Sequence, residues 1–128
     1  MAYDGGEAAH RALDLAAELA QRFQASVGVV SVVPVHAGRV PVDPWDDREV
    51  HTTELAEALK LLREKGIEPV MHEPAGDPAA TIEKIAEEGG YDMVVVGSRG
   101  LGLLSRALQG SVSEHVATHS KTTVVIAR

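Results

Sequence analysis

The residues best suited to chemistry sit late in the chain, in residues 94–115, VVVGSRGLGLLSRALQGSVSEH. Gly97 comes directly off an apolar run, where a side chain would block the close approach of another group. Gly110 stands directly before Ser111-Val112-Ser113-Glu114, the pattern of a capping box. In such a box the Ser111 hydroxyl and the Glu114 carboxylate satisfy free N–H groups at a helix start. A helix N-terminus with bare N–H groups and a preceding glycine is suited to an anion, phosphate above all. Arg99 and Arg106 lie on the loop that must fold over it.

Charge placement agrees. The chain carries a net −7, yet residues 1–91 hold 8 basic against 17 acidic residues, while residues 92–128 hold 4 against 2. The glycine-rich stretch therefore occupies the part of the chain suited to an anion. The acidic total argues against nucleic acid as the main partner. Two familiar phosphate motifs do not fit. No Gly-Lys pair is present for a Walker loop. A dinucleotide fingerprint begun at Gly100 would need glycine at 105, where Ser105 stands, and it belongs after a first strand rather than a fourth.

Other chemistry is weakly supported. Six histidines, His10, His36, His51, His72, His115 and His119, invite a metal reading; His115 and His119 are spaced i, i+4 on the last helix, but no carboxylate-rich metal spacing surrounds them and they read as solvated or core-edge groups. Asp14 and Glu18 fall on a solvated helix face. Trp45 reads as a loop anchor. With no cysteine there is no disulfide framework.

The elements that must position the glycines follow from periodicity. Residues 7–23 place Ala9, Ala12, Leu13, Ala16, Ala20 and Phe23 on one helical stripe. Residues 26–34 form a β-branched run and predict one buried strand. After a loop over 35–45, a helix is expected over 46–65, with Val50, Leu55, Leu59 and Leu62 inward. Asp46 or Asp47 caps it and Gly66 stops it. Residues 67–73 read as an edge strand because Pro69 cannot donate to a ladder. Asp77 and Pro78 begin a helix that turns Ile82, Ile85 and Ala86 inward and ends at Gly89-Gly90. Strands over 92–97 and 122–128 flank a final helix beginning near Ser111. Helices between successive strands demand parallel pairing, hence an α/β doubly wound sheet in one domain, residues 1–128.

One element is short. Only MAYD precedes the first helix, so the first strand is truncated to residues 1–4. Three resolutions stand open: an upstream start, a strand donated by another chain, or a sheet that closes up.

The spacing Gly97, two residues, Gly100, nine residues, Gly110-Ser111 resembles the nucleotide-binding signature of the universal stress protein family, in its ATP-binding subgroup. The resemblance runs through the chain, from YDGGEAAHRALDLAAELA to GSVSEHVATHSKTTVVIAR. It departs at Gly6 and Thr123, where the family has serine and proline, and at the short first strand. The resemblance implies a five-stranded sheet of order 3-2-1-4-5, counting residues 1–4 as strand one, with four helices and a cleft between strands one and four. It further implies ATP, or AMP or cyclic AMP, bound with Mg2+ held through the phosphates. Ala2, Asp4 and Val32 would meet adenine and ribose, and Val96 and Gly97 would flank the ribose. Arg99, Gly100, Gly110, Ser111, Val112 and Ser113 would hold the phosphates.

The expectation is a nucleotide-responsive regulatory module, with ATP hydrolysis slow at most. The alternatives are a phosphoryl- or adenylyl-transfer enzyme using the same cleft, or a structural member that binds no nucleotide. Residues 122–127, apolar and at a sheet edge, predict a homodimer. No apolar run approaches a membrane span, and the N-terminus lacks a signal-peptide pattern. A cytoplasmic protein is expected.

Overall fold

The structure is a computed structural model and describes residues 1–35, 44–98 and 112–128, apart from the side chains of residues 34 and 44–47. The loop over 35–45 with Trp45, and the stretch holding Arg99, Gly100, Arg106, Gly110 and Ser111, lie almost wholly outside the described residues. So do the side chains of Asp46 and Asp47. The elements in order are α1 (Glu7–Phe23), β1 (Gly28–Val30), β2 (Val33–Pro34), α2 (Pro44–Glu64) and β3 (Val70–His72). They continue with β4 (Ala75–Gly76), α3 (Pro78–Glu88), β5 (Met93–Gly97), α4 (Val112–His119) and β6 (Thr123–Ala127). The result is an α/β fold, with four helices among the described residues.

The hydrogen-bonded strands form three parallel pairs, β1 with β3, β2 with β4 and β5 with β6, rather than one continuous ladder. The short N-terminal segment lies between two of them. Tyr3 N donates to Val30 O (2.9 Å), Val30 N to Met1 O (2.9 Å), and Ala2 N to Val95 O (3.0 Å). Ala2 bridges Val30 in parallel sense. Residues 1–3 thus reach both neighbours, and the centre between β1 and β5 is occupied at its carboxyl end.

The single strand expected over 26–34 is two strands, and the cause lies across the ladder. Ser31 N donates to His72 O and Val33 N to Pro74 O. In that parallel alternation the intervening bond would run from the nitrogen of residue 74 to the Ser31 carbonyl, and proline has no N–H. Pro74 therefore sets the break. The pairing of β2 with β4 resumes the register of β1 with β3 beyond it.

The helices pack in two groups. In α1 the buried stripe is Ala9, Ala12, Leu13, Ala16, Ala17 and Ala20. Ala12 and Ala16 meet Val95 and Ala127, while Ala9, Leu13 and Ala17 join Val29, Leu55, Ala58 and Leu62 of β1 and α2. A stripe of alanines lets the helix backbone approach the strands closely. Phe23 departs from the expectation, being 74% exposed: it is the last helical residue, beyond the packed stretch, just before Gln24 closes the helix at φ 51°. Val50 is likewise 55% exposed, because the buried face of α2 runs through Leu55, Ala58 and Leu62. That helix also starts earlier than expected, at Pro44. On the opposite side α3 and α4 bury Ala79, Ile82, Ala86 and Val116 against Val30, Val32, Val94 and Val96. The Asp77 side chain accepts from Ala80 N (2.9 Å), with Pro78 in the first turn, as capping chemistry predicts.

Candidate functional site

The carboxyl ends of the N-terminal segment, β1 and β5 converge on one cavity of about 170 Å3. Ala2, Tyr3 and Asp4 form one side, Val30, Ser31 and Val32 another, and Val96 and Gly97 a third. Helices close it with Ala8 and Ala9 from α1, His51 from α2, Pro78 and Ile82 from α3, and Val112 and Ser113 from α4. Crevices at strand ends are where open α/β sheets bind ligands. The walls are mostly valine, isoleucine and alanine, fit for an aromatic ring system. The polar residues are few: Tyr3, Asp4, Ser31, His51 and Ser113.

Of the residues singled out in sequence, Ala2, Asp4, Val32, Val96, Gly97, Val112 and Ser113 all line this cavity. Arg99, Gly100, Gly110 and Ser111 lie outside the described residues. The first turn of α4 opens onto the cavity at Val112 and Ser113, so the N-terminal end of its dipole faces the cavity. Asp4 Oδ1 also accepts from Gly6 N (3.1 Å), a local turn that leads into α1 with Gly6 as its N-cap.

Gly97 has a packing role that sequence did not show. A Cβ there would lie 2.5 Å from the Ala8 carbonyl carbon and 2.9 Å from Ala8 Cβ. The group that demands the glycine is thus the backbone of α1, which passes directly beside the end of β5. Any room for a sugar comes in addition to that contact.

Two polar clusters behind the cavity were missed by sequence reasoning. In the first, Ser31 Oγ donates to Glu54 Oε2 (2.9 Å), and His51 Nδ1 lies 2.7 Å from Ser31 Oγ and 2.9 Å from Glu54 Oε2. Ser31 is 1% exposed, and the His51 and Glu54 side chains are 15% and 16% exposed. In the second, the Tyr3 hydroxyl donates to Glu57 Oε2 (2.9 Å), with the His10 ring packed edge-on at 5.5 Å. Burial first, then the acceptor Glu57, hold the Tyr3 phenol above its ordinary pKa. The available signal was spacing: His51, Glu54, Leu55 and Ala58 share one face of α2, so His51 and Glu54 turn inward with the apolar residues. His115 and His119, the histidine pair with helical spacing, instead stack on each other at 4.2 Å on an exposed face. Among the described residues no cluster of three or more His, Cys, Asp or Glu side chains is placed to hold a metal. No described helix is long and apolar enough to cross a membrane.

The fold agrees with the comparisons. The model of the universal stress protein family matches residues 1–128, and the chain belongs to that family. It is 33% identical over 142 residues to the universal stress protein YxiE of Bacillus subtilis, covering 100% of this chain and 96% of that one. Among solved structures it superposes on a universal stress protein from Archaeoglobus fulgidus with a TM-score of 0.84 at 26% identity, covering 99% of this chain and 95% of that one. The same organism's protein in complex with dAMP gives 0.80 at 26%, covering 99% and 94%. A universal stress protein in complex with cAMP gives 0.78 at 25%, covering 100% and 94%.

Proposed function

We propose that this chain is an ATP-binding universal stress protein, a single domain over residues 1–128 that acts as a nucleotide-responsive regulatory module in the cytoplasm, where adenine nucleotides are abundant. One observation carries the reading: seven residues, scattered over 2–113 and named from the family signature, surround one cavity at the carboxyl ends of the strands. The complexes of relatives with cAMP and dAMP support an adenine nucleotide as the ligand class.

The residues present fit such a ligand. The valine and alanine walls suit the base, and Asp4, acceptor-only when ionised, suits ribose hydroxyls. Val112 and Ser113 at the start of α4 suit phosphates. Gly100, Gly110 and Ser111 would complete that end through N–H groups and a hydroxyl. Arg99 and Arg106 would supply charge, with Mg2+ entering through the phosphates. Residues 1–3, bonded to both Val30 and Val95, support a sheet order of 3-2-1-4-5. β6, bonded on one side to β5, supports a homodimer across its other edge.

Titration calorimetry with ATP, AMP and adenosine tests the assignment. The parent should bind ATP more tightly than adenosine. Gly110→Val should abolish binding, Ser111→Ala should weaken it by about 1–2 kcal/mol, and Arg106→Ala should weaken ATP more than adenosine. Equal affinity for ATP and adenosine in the parent would remove the phosphate cradle.

A further inference from the structure

Resting on the nucleotide reading above, we propose that His51 is a specificity-determining residue whose Nε2 accepts a hydrogen bond from an N–H or O–H donor on the nucleoside half of the ligand.

The argument begins at Nδ1. Glu54 Oε2, 2.9 Å away, belongs to a carboxylate and only accepts. The Ser31 hydroxyl spends its proton on that same oxygen, so at 2.7 Å it offers Nδ1 a lone pair. Both neighbours of Nδ1 are acceptors, and Nδ1 therefore carries the imidazole proton. In a neutral imidazole the other nitrogen is then a bare acceptor. Nε2 has no hydrogen-bond partner among the described residues, and the His51 side chain lines the cavity together with Asp4 and Val32. Glu54 and Ser31 are positioning residues: they fix the ring and its tautomer, and Ser31 is itself held at the end of β1, where Pro74 interrupts the ladder.

This end of the cavity thus offers acceptors, Nε2 and the Asp4 carboxylate, to a ligand that must bring donors. Adenosine brings an exocyclic amino group and ribose hydroxyls. Inosine replaces the amino group with a carbonyl oxygen, and 2′-deoxyadenosine lacks one hydroxyl. Whichever change removes the donor opposite Nε2 leaves a shielded acceptor without a partner, which corresponds to about a tenfold loss of affinity.

The test uses the full chain and two readouts. The first is imidazole 15N NMR of the free protein, with His51 assigned by its loss in His51→Phe. The expected spectrum has a protonated Nδ1 and a bare Nε2, and a protonated Nε2 overturns the proposal. The second is calorimetric titration of adenosine, inosine and 2′-deoxyadenosine into the parent, His51→Phe and Glu54→Gln. The parent should prefer adenosine about tenfold over one of the two analogues, inosine marking the amino group and 2′-deoxyadenosine the hydroxyl. That preference should vanish in His51→Phe. It should shrink in Glu54→Gln, where a carboxylate that only accepts is replaced by an amide that can also donate to a bare Nδ1 and so no longer fixes the tautomer, and this variant carries the test if His51→Phe does not fold. A parent that binds adenosine with a preference unchanged in the variants overturns the role of His51 alone. A parent that binds neither ATP nor any of the three nucleosides overturns the nucleotide reading, and this proposal with it.

Discussion

Gly97 at the end of β5 lies against the backbone of Ala8 in the first turn of α1, close enough that a Cβ would sit 2.5 Å from the Ala8 carbonyl carbon. Backbone cannot swing aside as a flexible side chain can. Gly97→Ala should therefore destabilise the protein by about 1–3 kcal/mol, the usual scale of overpacking, as measured by urea denaturation. An unchanged midpoint would show that α1 can retreat from β5 at no cost.

Tyr3 is buried, and its hydroxyl donates to the half-exposed Glu57. In Tyr3→Phe that carboxylate regains water, so the loss should be about 1 kcal/mol, the net value of one hydrogen bond. The phenol is raised above its usual value of 10.0, by burial first. The folded state thus holds a proton that the unfolded state releases, and stability should fall as pH rises above 10. Ultraviolet titration should show one of the two tyrosines ionising only as the protein unfolds.

His72 shifts the other way. Burial first, and the Met1 ammonium second, hold it below its ordinary value of 6.5. The folded state binds this proton less readily than the unfolded state, so its contribution to stability is intact above 6.5 and declines as pH falls below it. Urea midpoints measured between pH 7.5 and 5 should fall less steeply in His72→Gln than in the parent. Identical slopes would place the effect elsewhere.

The edge of β6 away from β5, which bonds no other strand among the described residues, should carry the dimer. Ile126 there is 40% exposed, large and apolar. Light scattering should give a dimer at micromolar concentration, and Ile126→Lys should shift it toward monomer, since a lysine on an edge strand opposes pairing. A monomeric parent would remove this contact.

Sequence alone determined whatever depends on local chemistry and period. The alanine stripe of α1, the Asp77-Pro78 start of α3, the stop at Gly66 (φ 77°) and the valine runs of β5 and β6 were legible because each is dictated by residues within a turn or two. Seven of the residues around the cavity were named through the family resemblance, which runs through the chain. Tertiary structure decided the rest, because the deciding partner lies far along the chain. Pro74 breaks a strand more than forty residues before it by lacking one donor. Ala8 explains Gly97 through a backbone contact that no periodicity encodes. Residues 1–3 join Val30 to Val95 through hydrogen bonds to partners far along the chain. The Ser31–His51–Glu54 cluster exists only because α2 lays its inward face over the end of β1. Distance in sequence hides such pairs, and only the fold brings their atoms within hydrogen-bonding reach.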